Sequence, residues 1–175
     1  MADPHTRGAR PDEEAVVMTG RLELRPLPAA AARALPNDRE LASRVLGAEL
    51  APEWPLPDLL DVLPLQSAEH EHFGVWVMIE RETHTVIGDA GFFRPPNENG
   101  VVEIGYSVVP DRRRRRYATE AVRALTGWAL RQDGVETVVA GCHPGNAASI
   151  GTLERIGFQR AGESGGELRW TFRRR

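Results

Sequence analysis

The chain has 175 residues, of which 41% are hydrophobic and 27% charged, and its formal net charge is -3. This length and composition are typical of one globular domain that buries a core without a disulfide or metal staple. No apolar run approaches the roughly 20 residues that span a bilayer, and the single cysteine, Cys142, excludes an internal disulfide and a thiolate zinc cluster. We therefore expect a cytoplasmic domain with no membrane partner.

The N-terminal segment sets the expected domain boundary. Residues 1–18 mix Asp, Glu, Arg, Pro and Gly without periodicity, which predicts a disordered tail there and a single domain over residues 19–175. The alternating leucines of residues 21–27 are typical of a strand that ends at Pro26. The fold is therefore predicted to begin near Thr19.

Polar and alanine-rich sequence follows, and its signals are helical. Residues 29–35 and 38–46 predict two short helices, and Asn37 is the expected N-cap of the second. Residues 52–64 contain several prolines, which favours a loop or a broken helix. Trp54 in this segment is expected to pack over a pocket.

The remainder of the chain alternates between strand and helix signals. Apolar runs bounded by turn residues predict strands over residues 73–79, 85–93, 101–109, 138–142 and 169–172. Apolar stripes at helical spacing predict helices over residues 118–132 and 146–156. Asn146 is the expected N-cap of the second helix, and Gly157 its left-handed stop. This order is typical of a mixed α/β sheet with helices on both faces.

Five consecutive arginines, residues 112–116, lie between the strand over residues 101–109 and the helix that follows. A turn that enters a helix directs backbone N–H groups and the positive end of the helix dipole outward, which favours phosphate binding. The sequence PDRRRRRYATEA of residues 110–121 resembles the GNAT superfamily of acyl-CoA-dependent N-acetyltransferases. In that family, such a turn binds the pyrophosphate of coenzyme A.

Further segments resemble the same family in the same order. They are IGDAGF at residues 87–92, EIGYSVVP at 103–110 and HPGNAASIGTLERIGF at 143–158. The sequence is most similar to the Rim-type branch, which acetylates ribosomal-protein N-termini. The resemblance implies a mixed, mostly antiparallel sheet with splayed central strands, acetyl-CoA as co-substrate, and a primary amine as acceptor. The acceptor stays open between a protein N-terminus, a small amine and an antibiotic.

The resemblance also implies which residues contact acyl-CoA. They are Ser107, Val108 and Val109 on the strand, Arg114, Arg115, Arg116, Tyr117, Ala118 and Thr119 at the turn, and Asn146 and Ser149 for the pantetheine. The sequence departs from the family pattern at Arg114 and Arg116, where the turn usually carries two glycines. The first arginine can turn outward and add a phosphate contact. Arg116 is expected to hinder the pyrophosphate, so Arg116→Gly is predicted to tighten the cofactor.

Three catalytic tasks follow from direct attack of an amine on a thioester. Glu103 is the predicted base, because it shares a strand face with Ser107 and a carboxylate can accept the proton; the alternative is a strand residue paired with an arginine. The family implies a backbone N–H within residues 107–109 as oxyanion donor. Leu153 occupies the position at which many family members have a tyrosine acid, so Ser149 is the expected donor to the leaving thiolate.

Other readings stay open. The replaced glycines fit a degenerate acyl-CoA-binding module without turnover. The arginine runs 112–116 and 173–175 fit an RNA- or ribosome-binding protein, although no interleaved aromatics support nucleic acid as partner. Residues 69–72, EHEH, have metal-like spacing without further ligands, so we expect a solvated loop and no metal site. The pocket wall is expected from residues 50–65 and 94–100, and a homodimer stays open.

Overall fold

The computed structural model describes residues 15–65 and 72–174. The predicted tail therefore lies outside the described residues except for residues 15–18. Within that part, Val17–Met18 pairs antiparallel with the next strand, so the sheet begins before the predicted start at Thr19. No helix in the described ranges has both the length and the apolar character needed to cross a bilayer.

The described residues form nine strands and five α-helices. The strands are β1 (Val17–Met18), β2 (Leu22–Pro26), β3 (Glu49–Leu50), β4 (Val75–Glu80), β5 (Thr85–Phe92), β6 (Val101–Val108), β7 (Thr137–Cys142), β8 (Gln159–Ser164) and β9 (Glu167–Arg173). The helices are α1 (Ala29–Ala34), α2 (Arg39–Leu46), α3 (Pro57–Val62), α4 (Tyr117–Leu130) and α5 (Ala147–Ile156). The strand order is β1-β2-β4-β5-β6-β7-β9-β8, and β3 pairs with β5.

The sheet is mostly antiparallel and opens at its centre, as the resemblance implied. The parallel strands β6 and β7 are in register only from the Val101–Thr137 pair to the Glu103–Val139 pair. Beyond Glu103, β6 continues antiparallel to β5 while β7 continues antiparallel to β9. The two strands therefore diverge into a wedge, whose backbone edges lack a neighbouring strand.

Helices cover both faces of the sheet. On one face, α4 contacts β2, β5, β6 and β7, and α5 packs beside it. The hydroxyl of Tyr106 on β6 points to this face and reaches α5. On the other face lies the fully buried Trp54, whose Nε1 donates to Asp89 on β5. The next residue of β6, Ser107, directs its hydroxyl to this second face. Side chains from both faces of the sheet therefore lie beside the wedge.

Aromatic side chains form part of the core on which α4 packs. Trp76 and Trp170 are buried in the core. The half-buried Trp128 of α4 lies with its ring centroid 5.0 Å from that of Trp76. Leu125 of the same helix is fully buried, in agreement with the predicted apolar stripe. This packing fixes α4, and with it the turn that precedes the helix.

Some local predictions were wrong. Asp38, not Asn37, caps α2, because the Asp38 carboxylate accepts the backbone N–H of Leu41. Strand β8 was missed because all its residues are exposed and carry no alternating apolar pattern. Other local predictions were confirmed. The segment of residues 52–64, predicted as a loop or a broken helix, contains the six-residue helix α3. Gly157 ends α5 with a left-handed φ of 106°, as predicted.

Candidate active site

The arginine turn adopts the backbone conformation that glycine prefers. Arg114 and Arg116 have φ values of 61° and 62°, in the left-handed region that costs an L-residue about 1–2 kcal/mol. These are the two positions at which the turn of the GNAT family, which this sequence resembles, usually carries glycine. The left-handed path is therefore kept although the residues that favour it are absent.

The start of α4 is open to an anion. Arg116 is the N-cap of α4, and no side chain caps the helix. The first N–H of α4 that bonds inside the helix is that of Glu120, which donates to the Arg116 carbonyl. The N–H groups of Tyr117, Ala118 and Thr119 therefore point out of the helix, among exposed arginines. Such an N-terminus fits a pyrophosphate.

The side chains of the turn also connect it to the wedge. Arg113 Nε donates to the carbonyl of Val108, the last residue of β6, at 2.9 Å. The Arg114, Arg115 and Arg116 side chains are exposed. An extended ligand bound at the turn can therefore continue along the open edge of β6. A pyrophosphate with a long acyl-bearing arm has this shape, so the residues present fit acyl-CoA.

A cavity of about 320 Å³ lies in the opening between β6 and β7. Its walls include Tyr106 from one face of the sheet and Ser107 from the other, so it reaches both faces. The residues that line it also include Asp58, Leu59 and Val62 of α3, Asp89 and Phe92 of β5, Cys142 of β7, and Phe93, His143, Asn146 and Ser149. An acyl donor can therefore enter the cavity from one face of the sheet and an amine acceptor from the other.

Asp89 is the buried carboxylate of this cavity. Its Oδ2 accepts the Trp54 Nε1–H at 2.9 Å and the Ser107 hydroxyl at 3.0 Å. Burial raises the pKa of Asp89 from 3.8 to about 6; the two hydrogen bonds lower it, and the negative charge of Asp58 adds to the rise. The sequence analysis predicted no role for Asp89, although the residue lies in the family-like segment IGDAGF. Its position could have indicated a function, because an ionisable residue inside an apolar strand is unusual.

Glu103, the predicted base, lies elsewhere. Its carboxylate forms an ion pair with Arg169 Nη2 at 2.9 Å, and 37% of the side chain is exposed. It is paired in register with Val139, in the part of the sheet where β6 and β7 are still joined. The described residues that line the cavity do not include it. The structure thus gives Glu103 the alternative arrangement, a strand residue paired with an arginine.

The backbone of β6 offers a narrower choice of oxyanion donor than the predicted range 107–109. The Val109 N–H already donates to the Ile87 carbonyl at 3.0 Å. Backbone groups of successive strand residues point alternately to the two neighbours. The N–H groups of Tyr106 and Val108 therefore point to the side on which β7 has diverged. Within the predicted range, Val108 is the residue whose N–H faces the wedge.

Asn146 and Ser149 lie together at the start of α5. Asn146 Oδ1 caps the helix by accepting the Ser149 N–H at 3.1 Å, as the sequence predicted. The hydroxyl of Tyr106 donates to the Ser149 carbonyl over a long 3.5 Å. Burial raises the pKa of Tyr106, so its hydroxyl stays protonated at neutral pH. Leu153 is fully buried and serves the core.

The predicted pocket wall is right in one segment and wrong in the other. Residues 50–65 contribute Asp58, Leu59 and Val62 from α3. Loop 94–100 instead packs against the connection between α4 and β7, because the Gly100 carbonyl accepts the Glu136 N–H at 2.8 Å. That connection lies at the start of β6, away from the wedge.

Of the metal-like segment 69–72, residues 69–71 lie outside the described residues.

A splayed sheet with an uncapped helix start and a buried carboxylate in the opening defines an acyl-CoA-dependent acyltransferase. Comparisons with known proteins agree with this class. The family model of the acetyltransferase (GNAT) domain matches residues 21–159. The uncharacterized N-acetyltransferase YjdG of Bacillus subtilis (strain 168) is 31% identical over 146 residues, which are 80% of this chain and 87% of YjdG.

Solved structures have the same fold. The acetyltransferase from Agrobacterium tumefaciens str. C58 is 25% identical, with a TM-score of 0.65, and the match covers 96% of this chain and 99% of that one. The ribosomal L7/L12 alpha-N-protein acetyltransferase RimL, solved with coenzyme A, is 16% identical, with a TM-score of 0.65 and coverage of 91% and 98%. The chain belongs to the GNAT acetyltransferase family, and its activity is acetyl-CoA-dependent N-acetyl transfer.

The left-handed turn predicts an unusual order of stability. Glycine adopts φ near 60° without the Cβ penalty, so the Arg116→Gly variant should be about 1 kcal/mol more stable than Arg116→Ala, measured by chemical denaturation. Arg115 is the control, because the positive φ values of the described turn belong to its two neighbours. At that position the alanine variant should be the more stable. Equal stability of the two Arg116 variants would contradict the left-handed assignment.

The pKa of Asp89 predicts how the stability of the protein depends on pH. A folded-state pKa near 6, above the ordinary 3.8, means that the folded protein holds this proton more tightly than the unfolded chain. The free energy of unfolding should therefore fall as pH rises from about 4 to 7. Asp89→Asn keeps a carbonyl acceptor for Trp54 and Ser107 without this loss, so near pH 8 it should be more stable by about 2–3 kcal/mol. Parallel pH dependences of variant and wild type would refute the raised pKa.

Proposed function

We propose that this protein acetylates a primary amine, either a protein N-terminus or a small molecule, with Asp89 as the general base. Acetyl-CoA supplies the acyl thioester, which the amine attacks directly. The observation that supports this proposal is the buried Asp89 carboxylate in a cavity that reaches both faces of the opened sheet. The fold of RimL, which acts on the α-amino group of a ribosomal protein, supports a Rim-type acceptor.

The turn and the start of α5 would hold the co-substrate. The N–H groups of residues 117–119 and the charges of Arg114 and Arg115 are suited to the pyrophosphate. The Arg116 side chain is exposed, and Arg116→Gly is still expected to tighten the cofactor. Asn146 uses its carbonyl oxygen to cap α5, which leaves its amide N–H groups to donate to the pantetheine. These contacts would fix the position of the thioester beside β6 before the acceptor enters.

Asp89 would take the proton of the attacking amine, directly or through one water. Its pKa near 6 keeps the carboxylate ionised at neutral pH while leaving it a stronger base than an exposed aspartate. An α-amino group, with a pKa near 8, loses its proton more easily than a lysine with a pKa near 10.4. This difference favours acceptors with an α-amino or similarly acidic ammonium group.

The other two tasks would fall to β6 and α5. The Val108 N–H would stabilise negative charge on the thioester carbonyl oxygen. Ser149 and Tyr106 both bring hydroxyl groups to the cavity at the start of α5, and either can donate a proton to the departing thiolate. A thiol has a pKa near 8.5, so its thiolate is a good leaving group and needs only a modest contribution from a proton donor.

Charge-removing variants of the two carboxylates separate the candidate bases. Asp89→Asn should lower kcat/KM by about 10²–10⁴ because it removes a general base, with the Kd for acetyl-CoA changed less than about twofold. Glu103→Gln breaks a half-exposed ion pair and should keep kcat/KM within about threefold. The assay follows free thiol with a panel of peptides and small amines.

The pH profile gives an independent check on the base. The kcat/KM of the wild type should fall as pH drops below about 6, since the Asp89 carboxylate is then protonated. If Glu103→Gln instead abolishes turnover while Asp89→Asn does not, Glu103 is the base, as first predicted. Acetyl-CoA binding without thiol release by the wild type, with every acceptor, would favour the degenerate binding module.

The donor to the thiolate can be tested with hydroxyl deletions. Because either hydroxyl can replace the other, Ser149→Ala and Tyr106→Phe should each lower kcat by less than about threefold, whereas the double variant should lower it by roughly tenfold or more. Thr152→Ala is the matched control, because Thr152 is a buried residue about one helical turn further along α5. A double variant with the wild-type kcat would remove both hydroxyls from the mechanism.

A cytoplasmic location remains a prediction, supported by the single cysteine, which is buried and needs no oxidising compartment. Nucleic-acid binding by the arginine turn is the competing prediction. A shift of the melting temperature with acetyl-CoA, and none with RNA, would favour the enzyme.

A further inference from the structure

We propose that Arg21 is a positioning residue for acetyl-CoA: with Glu80, it holds the arginine turn in the left-handed path that two glycines would adopt unaided. This inference rests on the proposed binding of the pyrophosphate at the turn. It assigns a role to two residues that do not line the central cavity. It also accounts for how this chain tolerates Arg114 and Arg116.

The first observation is a contact of Arg21 inside the turn. Arg21 Nη2 donates to the carbonyl of Arg115 at 3.0 Å. Arg115 lies between the two left-handed residues Arg114 and Arg116. The hydrogen bond therefore fixes the peptide group that joins Arg115 to Arg116, and with it the direction of the backbone at the N-cap of α4.

The second observation is that Arg21 is itself held in place. Its Nε donates to Glu120 Oε2 at 2.8 Å, and its backbone N–H donates to Glu120 Oε1 at 2.7 Å. Its guanidinium carbon lies 4.3 Å from the centroid of the Tyr117 ring. Because Glu120 and Tyr117 belong to the first turn of α4, Arg21 links the arginine turn rigidly to the helix.

The third observation concerns the two ends of the turn. Glu80 is 5% exposed, and one of its carboxylate oxygens accepts the Tyr117 hydroxyl. Its other oxygen lies 3.5 Å from Arg112 Nε and accepts the Thr83 hydroxyl at 2.6 Å. Burial raises the pKa of Glu80, but these partners outweigh it and lower the pKa, so the carboxylate stays charged. Arg112 and Tyr117 are thus bound to one buried group.

A direct phosphate contact by Arg21 is the alternative. Arg21 borders an outer cavity together with Arg116, Arg123 and Arg155. Its guanidinium, however, already donates to Glu120 and to the Arg115 carbonyl, and one of its faces lies on Tyr117. The two roles differ in one consequence: only a positioning residue becomes dispensable when the turn can hold its path alone.

The test removes Arg21 in two backgrounds, the natural turn and an Arg114→Gly/Arg116→Gly double variant. The probe is free coenzyme A in isothermal titration with the full chain. In the natural background, Arg21→Gln should raise the Kd about tenfold, which corresponds to about 1.4 kcal/mol. In the glycine background the rise should be less than about threefold, because glycine adopts positive φ unaided. Arg21→Lys should resemble Arg21→Gln, since lysine lacks the planar fork that bridges two acceptors.

Arg123→Gln is the matched control. It removes the same charge from the border of the same outer cavity, while its Nη2 contacts the Arg155 carbonyl at 3.0 Å and not the turn. Its effect on the Kd should be the same in both backgrounds. An equal loss from Arg21→Gln in both backgrounds would overturn the proposal in favour of direct phosphate contact.

Amide hydrogen exchange over residues 113–117 provides a readout that needs no ligand. Arg21→Gln should speed exchange there about tenfold or more in the natural turn, and leave it nearly unchanged relative to the glycine parent. Unaltered exchange in the natural turn would also overturn the proposal. If the wild type binds no coenzyme A, the proposed function fails, and the exchange measurement still decides the role of Arg21.

Discussion

The early end of the pairing between β6 and β7 is the constraint on which the site depends. After Glu103 and Val139 the two strands no longer share hydrogen bonds, and each continues beside a different neighbour. The open edge of β6 presents backbone N–H and carbonyl groups that need a partner. An extended arm with amide groups, such as pantetheine, can supply one. The cavity, the position of the proposed base Asp89 and the proposed acceptor path all depend on this opening.

The arginine turn shows that a backbone path can be kept when the residues that favour it are replaced. The left-handed conformations of Arg114 and Arg116 carry an energetic cost that glycine avoids. Contacts from Arg21 and the buried Glu80 oppose that cost from outside the turn. In return, the turn gains positive charge where a pyrophosphate would lie. Local strain at this position is thus coupled to the surrounding fold and to the proposed ligand.

The sequence predicted the sheet, the two C-terminal helices and the place of the opened strands, because apolar periodicity, helix caps and several motifs in order agree. The base predicted from the sequence, Glu103, differs from the base proposed from the structure, Asp89, for a physical reason. Glu103 and Asp89 are both carboxylates on neighbouring strands, and only three-dimensional pairing shows that Arg169 neutralises one while Trp54 and Ser107 bind the other. Strand β8 was missed because an exposed edge strand needs no apolar alternation.

The most direct test of this account is amide hydrogen exchange along β6, measured residue by residue with and without acetyl-CoA. The N–H groups of Tyr106 and Val108, which face the opening, should exchange faster than the Val109 N–H, which is bonded to Ile87. Acetyl-CoA should then protect Tyr106 and Val108 by about tenfold or more. Slow exchange of both amides in the free protein, or no added protection when acetyl-CoA is bound, would contradict the opened edge as the binding site.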